Sequence, residues 1–158
     1  MTTANTAIGL GSNLGNSVSA IKEAEERLEK GGFKIISRSS FYRTKPVDCE
    51  PGTPSFINAA VIGLWKKEIP ELWQLCKNIE QTMGRPVNHS SRQARIIDID
   101  ILIVGDAPYS DENLTIPHPQ LTDRLFVLKP LAEIAPEWCI PPTNQRIDDA
   151  YKSLLSQT

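Results

Sequence analysis

A run of β-branched residues that carries two acids constrains the fold of this chain more than any other stretch. The run covers residues 95–104 and reads RIIDIDILIV; six of its ten residues are apolar and β-branched, which predicts a strand inside a sheet. Because side chains alternate across a strand, Asp98 and Asp100 project from one face, with Cα atoms roughly 6 to 7 Å apart. Like charges at this spacing repel, and hard cations such as Mg²⁺ bind carboxylate oxygens, so the pair predicts a metal site. The alternative is that the pair lies on a solvated edge strand.

Length and composition predict a single globular domain. The chain has 158 residues, of which 40% are hydrophobic and 23% are charged, which is usual for a soluble protein. Its net charge of −2 predicts no general affinity for nucleic acid or for acidic membranes. No apolar run approaches the roughly 20 residues of a membrane span, and the N-terminus lacks the basic and apolar regions of a secretory signal.

The cysteines predict the compartment in which the protein works. Cys49, Cys76 and Cys139 are odd in number and far apart in the chain. This pattern fits neither a disulfide framework nor a zinc site. We therefore expect unpaired thiols in a reducing compartment, and a cytoplasmic protein.

The beginning of the chain predicts a strand, a glycine-rich turn and a helix. Residues 6–10 form the predicted strand and 11–16 the turn; Asn16 is the expected N-cap of a helix that ends at Gly31. The spacing G-x-G-x-x-x-G, without Gly-Lys-Ser/Thr, is neither a Walker A loop nor a good dinucleotide fingerprint. A plain structural turn and a turn whose backbone faces a ligand both stay open.

Two further strands, over residues 33–42 and 56–65, flank a segment rich in proline. Residues 43–55 include three prolines, which set backbone angles without forming secondary structure, so the segment is either a shaped wall around a ligand or a tolerated surface insertion. On the second strand, Asn58 is a lone amide on an otherwise apolar face. A buried amide needs partners, which predicts either a heterocyclic ligand or a bond to a neighbouring loop.

A second amphipathic helix, over residues 70–84, leads into a basic segment. Residues 85–95 contain three arginines, one histidine and no acid. A solvated loop would explain this composition. Because the segment directly precedes the two acids, it also predicts guanidinium groups that hold phosphate oxygens next to a metal.

The order strand, helix, strand, strand, helix, strand predicts an α+β fold with a ferredoxin-like βαββαβ core, arranged as an α/β/α sandwich. A proline-rich C-terminal extension follows, with a short helix over 121–128 and a polar helix over 145–155. His118 lies between two prolines in this extension. Such a histidine is either structural or part of a site.

Short segments along the chain match one known family in sequence and in order. They are GSNLG at 11–15, SSFYRTxP at 39–46, FINAAV at 56–61, IE at 79–80, GR at 84–85, RxxDIDIL at 95–102, PHP at 117–119 and RxFVLxPLxEIAP at 124–136, where x marks a position outside the match. Together they resemble the 6-hydroxymethyl-7,8-dihydropterin pyrophosphokinases of folate biosynthesis. The resemblance implies transfer of the β,γ-pyrophosphoryl unit of ATP to the hydroxymethyl oxygen of the pterin, with release of AMP.

The resemblance also implies roles for individual residues. Asp98 and Asp100 would bind two Mg²⁺ ions, and together with Arg85 and Arg95 they form the implied catalytic group. The residues implied to bind ATP are Glu80, Arg85, Arg92, Arg95, Ile101, Thr115, His118 and Arg124. The residues implied to bind the pterin are Thr44, Pro46, Val47, Phe56, Asn58, Asp98 and Phe126, with the two phenylalanine rings stacked on the heterocycle.

Other functions use the same fold and the same residue types. A ferredoxin-like sensor or interaction module would bind a small molecule without catalysis, although it has no need of two acids beside three arginines. Metal-dependent phosphoester hydrolysis uses similar acids and metals without a pterin acceptor. The sequence leaves open whether the protein is a monomer or a homodimer, and whether it associates with a dihydropteroate synthase.

Overall fold

An antiparallel sheet forms the centre of the computed structural model, which describes residues 3–13, 16–44, 55–84 and 96–158. In these residues the sheet has five strands: β1 Ala4–Ser12, β2 Lys34–Arg38, β3 Tyr42–Thr44, β4 Phe56–Trp65 and β5 Asp98–Val104. The strand order is β2-β4-β1-β5, and β3 also pairs with β4. β1 lies between β4 and β5 and pairs with both in antiparallel register.

Helices α1 (Ser17–Lys30) and α2 (Ile69–Thr82) cover one face of the sheet. The Asn16 side chain accepts a hydrogen bond from the backbone of Ser19 at 3.1 Å, which confirms the predicted N-cap of α1. α2 begins with a capping box between Glu68 and Glu71. Both helices bury an apolar stripe against alternate residues of β1, β4 and β5, and this forms the larger of two cores.

A 3₁₀ turn (Leu121–Asp123) and helices α3 (Leu125–Ile134) and α4 (Ile147–Leu155) cover the opposite face. Leu128 and Leu131 of α3 and Ile147 of α4 are fully buried there. Two small hairpins, β6 (Tyr109–Ser110) with β7 (Thr115–Ile116) and β8 (Cys139–Ile140) with β9 (Gln145–Arg146), connect these elements. The described residues therefore form a helix–sheet–helix arrangement.

Glycine and serine residues predicted to lie in a turn extend the first strand. β1 continues through Gly11 and Ser12, which pair with Asn58 and Ile57 of β4. The Ser12 hydroxyl also donates a hydrogen bond to the carbonyl oxygen of Ile96. Pairing on both edges overrides the local turn signal, so the boundary predicted at residue 10 was wrong.

Three other boundaries also differ from the sequence prediction. The strand predicted over 33–42 is divided into β2 and β3, because the chain leaves the ladder between Arg38 and Tyr42. The helix predicted over 121–128 is a 3₁₀ turn followed by α3. The C-terminal helix begins at Ile147, since Gln145 and Arg146 pair with the strand at Cys139–Ile140 instead.

Two expectations from composition can be compared with the structure. Within the described ranges, no helix has the length and apolar character that a membrane crossing requires. Cys76 and Cys139 are free thiols, the first buried and the second exposed. Cys49 lies outside the described residues.

Candidate active site

The two acids of β5 project from the face of the sheet that α3 covers. Ile99 and Ile101 alternate with them and are buried against α1 and α2. Asp98 pairs with Gly11 and Asp100 with Gly9, so glycines face both acids across the ladder. Because glycine has no side chain, space remains beside each carboxylate.

β5 is the outer strand of the described sheet, as the solvated-edge alternative required, yet Asp100 is not freely solvated. Burial raises the pKa of Asp100 to about 7, and the charges of Asp98 and Glu80 act in the same direction. Lys77 and Arg124 oppose the rise. Acids forced together in this way favour a bound cation over solvent exposure.

A cavity of about 390 Å³ opens beside Gly9 and Gly11. Thr44, Phe56 and Asn58 line it from the sheet. Arg124, Phe126 and Val127 line it from the start of α3, and both acids also face it. The cavity therefore gathers the described residues that the sequence assigned to a pterin, together with two glycines and Arg124.

The amide of Asn58 is buried at the edge of this cavity. Its Nδ2 donates a hydrogen bond to the Thr44 hydroxyl at 2.8 Å. Asn58 is only 6% exposed, and this bond satisfies one of its donors and leaves its orientation defined. The Asn58 side chain therefore bonds to a neighbouring side chain and also lines the cavity, so each of the two predictions for this amide has a counterpart in the structure.

The aromatic ring of Phe126 is 38% exposed, which is unusual for a large apolar side chain beside a core. The guanidinium carbon of Arg124 lies 5.5 Å from the centre of this ring. Phe56 lines the same cavity from β4. Two phenylalanine rings in one cavity suit a flat heterocycle.

A second cavity, also about 390 Å³, lies on the α2 side of β5. Ile101, Thr115 and His118, which the sequence assigned to ATP, line it. Asp100 lines both cavities. Asp100 therefore stands between two spaces, each large enough for part of a small molecule.

His118 is held by its own backbone and by the next turn. Its backbone N–H donates to the carbonyl oxygen of Leu102 at 2.9 Å. Leu102 is the extra residue of a β-bulge in the β1–β5 ladder, because Ala7 pairs with Ile103 and Ile8 pairs with Ile101. The ring Nδ1 accepts a hydrogen bond from the backbone of Gln120 at 3.1 Å. Burial lowers the pKa of His118, so the neutral ring carries its proton on Nε2.

Two other residues assigned to ATP, Glu80 and Arg124, are not among those that line the second cavity. Glu80 is 1% exposed; its carboxylate accepts a hydrogen bond from the backbone of Ile99 at 2.8 Å and lies 3.4 Å from the Lys77 ammonium. It thereby holds the backbone between the two acids of β5. Arg124 lines the first cavity, together with Asp98 and Asp100.

Sequence reasoning missed two residues of α2 that line the second cavity, Trp73 and Lys77. The Lys77 ammonium lies 5.9 Å from the centre of the Trp73 ring. Their spacing of four residues places them on one helix face. Each follows a residue of the apolar stripe, Leu72 or Cys76, so this face lies beside the stripe. No role was predicted for this face, although an aromatic and a cationic side chain four residues apart were a signal that could have revealed it.

Five predicted site residues cannot be placed. Pro46, Val47, Arg85, Arg92 and Arg95 lie outside the described residues.

The chain was compared with known proteins. A family model described as 7,8-dihydro-6-hydroxymethylpterin-pyrophosphokinase (HPPK) matches residues 7–136. The chain belongs to the HPPK family. This match covers every described element that lines the two cavities, from β1 to the end of α3.

Curated proteins of other organisms are similar over most of this chain. A 2-amino-4-hydroxy-6-hydroxymethyldihydropteridine pyrophosphokinase of Methylorubrum extorquens is 40% identical over 134 residues, which are 84% of this chain and 84% of that protein. The folic acid synthesis protein fol1 of Schizosaccharomyces pombe is 35% identical over 151 residues. That match covers 95% of this chain and 20% of the relative, so the chain spans only a fifth of the length of fol1.

Solved HPPK structures share the fold. The Plasmodium falciparum wild-type HPPK-DHPS crystal structure with pteroate has a TM-score of 0.74 and 18% identity. A crystal structure of an HPPK-DHPS in complex with substrates has a TM-score of 0.75 and 15% identity. Each match covers 99% of this chain but only 43% and 44% of the other chain. The chain is therefore a mixed α/β protein with the fold of the HPPK portion of these longer proteins.

Proposed function

We propose that this chain transfers pyrophosphate from ATP to the hydroxymethyl group of 6-hydroxymethyl-7,8-dihydropterin and releases AMP, a step of folate biosynthesis. Membership of the HPPK family supports the reaction. The observation that carries it is the position of Asp100, which lines both cavities and so stands where two reactants would meet. In this reaction the hydroxymethyl oxygen bonds to the β-phosphorus and loses its proton. The bond from that phosphorus to the α-phosphate oxygen breaks, and AMP leaves.

We place the pterin in the first cavity. Its glycine floor gives a flat ring room to lie beside the sheet, and Phe56 and Phe126 offer aromatic faces. The Asn58 amide, held in place by Thr44, supplies a donor and an acceptor side by side for the ring edge. By family position, Pro46 and Val47 complete the wall.

We place ATP in the second cavity. Trp73 offers an indole face for the base, and Lys77 and the Nε2–H of His118 offer donors for phosphate oxygens. By family position, Arg85, Arg92 and Arg95 would add guanidinium groups to the phosphates. Glu80 contributes indirectly, because its hydrogen bond from the Ile99 backbone fixes the strand that carries the acids.

We propose that Asp98 and Asp100 hold Mg²⁺, with two ions as the family implies. Their fit is supported by the raised pKa of Asp100, since a cation beside it would offset both the cost of burying its charge and the repulsion from Asp98 and Glu80. Within the ranges that the structure describes, no three His, Cys, Asp or Glu side chains are placed to hold one metal ion together, so phosphate oxygens and water would complete the ligand set. When bound, the ions would neutralise phosphate charge and align the reacting atoms.

Residues 1–158 would form one domain with a ferredoxin-like βαββαβ core and a proline-rich extension. The strand order and the two helices on one face support this. The net charge and the free thiols support a cytoplasmic protein that acts on small molecules, without nucleic acid or membrane, as a monomer or homodimer.

The activity is tested by incubating the chain with ATP, Mg²⁺ and the hydroxymethylpterin and measuring AMP by chromatography. We expect AMP in equal amount to pyrophosphorylated pterin, and neither product when EDTA replaces Mg²⁺. Binding of both ligands without AMP would favour the sensor alternative, and release of phosphate without a pterin product would favour hydrolysis.

A further inference from the structure

One carboxylate outside both cavities, that of Glu133 on α3, collects three hydrogen bonds from a single segment. Its Oε1 accepts from the backbone N–H of Ser40 at 2.9 Å and from the Tyr42 hydroxyl at 2.6 Å. Its Oε2 accepts from the Ser40 hydroxyl at 2.9 Å. Both oxygens are therefore bound to the segment that joins β2 to β3. The contact links residues more than 90 positions apart in the chain.

The charges around Glu133 keep this contact intact at neutral pH. Burial raises the pKa of Glu133, but the hydrogen bonds from Tyr42 and Ser40 outweigh it and the pKa lies below its ordinary value. The bond to Glu133 raises the pKa of Tyr42 to about 12, so the phenol stays a donor. The Lys129 ammonium lies 5.1 Å from the centre of the Tyr42 ring and adds a second link between α3 and β3.

The segment bound by Glu133 sets where β3 begins. The Ser39 backbone N–H donates to the Ala60 carbonyl at 2.9 Å, and the Ser39 hydroxyl accepts from the Ala60 N–H at 2.8 Å, which fixes the end of β2. After this break, Tyr42 pairs with Asn58 and Thr44 with Phe56. The strand that Glu133 holds therefore carries Thr44 to the first cavity.

The same helix carries the opposite wall of that cavity. Phe126 and Val127 line it from the first turn of α3. Glu133 lies seven residues after Phe126, about two turns later on the same helix face. One contact thus joins the helix that positions Phe126 to the strand that positions Thr44.

We infer that Glu133 is a positioning residue that sets the gap between α3 and β3, and thereby the affinity of the first cavity for the pterin ring. The inference rests on the proposed function only in naming the pterin as the occupant. Residues 39–44 and Glu133 both lie in segments that resemble the family. Among these residues, only Thr44 was assigned a role from the sequence.

The test is Glu133→Gln, with the KM for the pterin and for ATP measured separately. Glutamine keeps the size of the side chain but loses the charge and one acceptor oxygen. We expect the pterin KM to rise about fivefold and the ATP KM and kcat to change less than about twofold, since the loss corresponds to about one net hydrogen bond. Glu137→Gln, at an exposed position beyond the same helix, is the matched control and leaves both KM values unchanged.

Tyr42→Phe removes one of the three bonds with little change of shape. We expect a smaller rise in the pterin KM than for Glu133→Gln. In the double variant Tyr42→Phe with Glu133→Gln, the fold-rise in the pterin KM should be less than the product of the two single rises, because both changes act through one contact. If Glu133→Gln does not fold, the Tyr42→Phe result alone decides. An unchanged pterin KM, or an equal rise in both KM values, would overturn the inference.

The proposed function is tested separately from this role. If the wild-type chain binds the pterin but forms no AMP, the function is wrong. The dissociation constant of the pterin in the same variants, measured by calorimetry, then still decides the role of Glu133. If the wild-type chain does not bind the pterin, the inference is overturned as well.

Discussion

At the scale of single residues, Asp100 combines burial, a like charge beside it and contact with two cavities. The contact with both cavities distinguishes it from Asp98, which lines the first cavity only, although the two acids are equivalent in the sequence pattern. The pKa of Asp100 is raised from 3.8 to about 7 by burial first and by the charges of Asp98 and Glu80 next. The folded state therefore disfavours the charged form that a cation site uses.

Replacing Asp100 by Asn is expected to separate activity from stability. The folded protein holds the Asp100 proton more tightly than the unfolded chain, so the stability that this group contributes is present below its unfolded pKa and is lost as the pH rises through about 7. Asn cannot ionise, so in EDTA at pH 8 we expect a melting temperature about 2 to 5 °C above wild type. We also expect turnover to fall by at least about 100-fold.

Thermal unfolding at several pH values and an AMP assay check this prediction. Asp106→Asn, at an exposed position just beyond β5, is the matched control and should change neither quantity. A destabilised Asp100→Asn protein, or one with wild-type turnover, would contradict the assigned role.

His118 should make stability depend on pH in the opposite direction. Its pKa is lowered by burial first and by Arg124 next, so the folded protein favours the neutral ring. The resulting stability is present above the unfolded pKa of about 6.5 and is lost as the pH falls through the lower folded value. Protonation on Nδ1 would also break the bond from Gln120.

His118→Asn keeps an acceptor near the position of Nδ1 but cannot titrate. We expect the melting temperature of the variant to fall less than that of wild type between pH 7.5 and pH 5, as measured by differential scanning calorimetry. His89→Asn is not a useful control, because residue 89 is outside the described residues, whereas Gln120→Ala retains His118 and should keep the wild-type pH dependence. Parallel curves for wild type and His118→Asn would rule out the role of the ring.

At the scale of elements, β1 matters because two of the three residues with which it lines the first cavity are glycines. Gly9 and Gly11 alternate with Ile8 and Leu10, which are buried in the larger core. A Cβ at Gly9 would lie 3.5 Å from the nearest Leu102 side-chain carbon, an ordinary contact, whereas a Cβ at Gly11 would lie 3.3 Å from the Asn58 side-chain oxygen. The two glycines therefore differ in what a methyl group would disturb.

The Gly9→Ala variant should fold normally, because the added methyl group displaces no protein atoms. It should weaken binding of the pterin more than binding of ATP, because the methyl group takes up space at the floor of the first cavity. We expect the pterin dissociation constant to rise about tenfold, with that of ATP changed less than about twofold. Isothermal titration calorimetry with each ligand measures both constants. Gly105→Ala is not a suitable control because Gly105 has a φ of 67°, so Ala7→Gly in the same strand serves instead. Equal losses for both ligands would show that β1 is not the floor of the pterin site.

At the scale of the whole molecule, ligands should couple the two layers of helices through the sheet. The first cavity is closed by α3 and the second by α2, and β5 separates them. A ligand that binds only the folded state raises the melting temperature according to its concentration relative to its dissociation constant.

We expect Mg²⁺ with an α,β-methylene analogue of ATP to raise the melting temperature by several degrees, and the pterin to raise it further. At about 100 times the dissociation constant, one ligand adds about 2.7 kcal/mol to the free energy of unfolding. Scanning calorimetry measures both increments, and EDTA should remove most of the first. An equal increment from the analogue with and without Mg²⁺ would contradict a metal bound between Asp100 and the phosphates.

Local pattern was sufficient for much of the fold and for part of the site. The helix cap at Asn16, the strand that carries Asp98 and Asp100, and their shared face all follow from spacing and propensity. At two of the failed boundaries distant pairing competed with a local signal, namely at Gly11 and Ser12 and at Gln145. Strand pairing between distant residues is set by tertiary packing, which overrides local propensity.

The sequence by itself determined which side chains alternate on β5, and that carboxylates, an amide and aromatic rings would be available to a site. Only the tertiary structure decided that Asp100 lies between two cavities, that Glu80 binds the backbone of Ile99, and that Glu133 holds β3. The reason is physical: alternation depends on neighbouring residues, whereas burial, cavity shape and these hydrogen bonds depend on elements that meet only when the sheet and both helix layers have assembled.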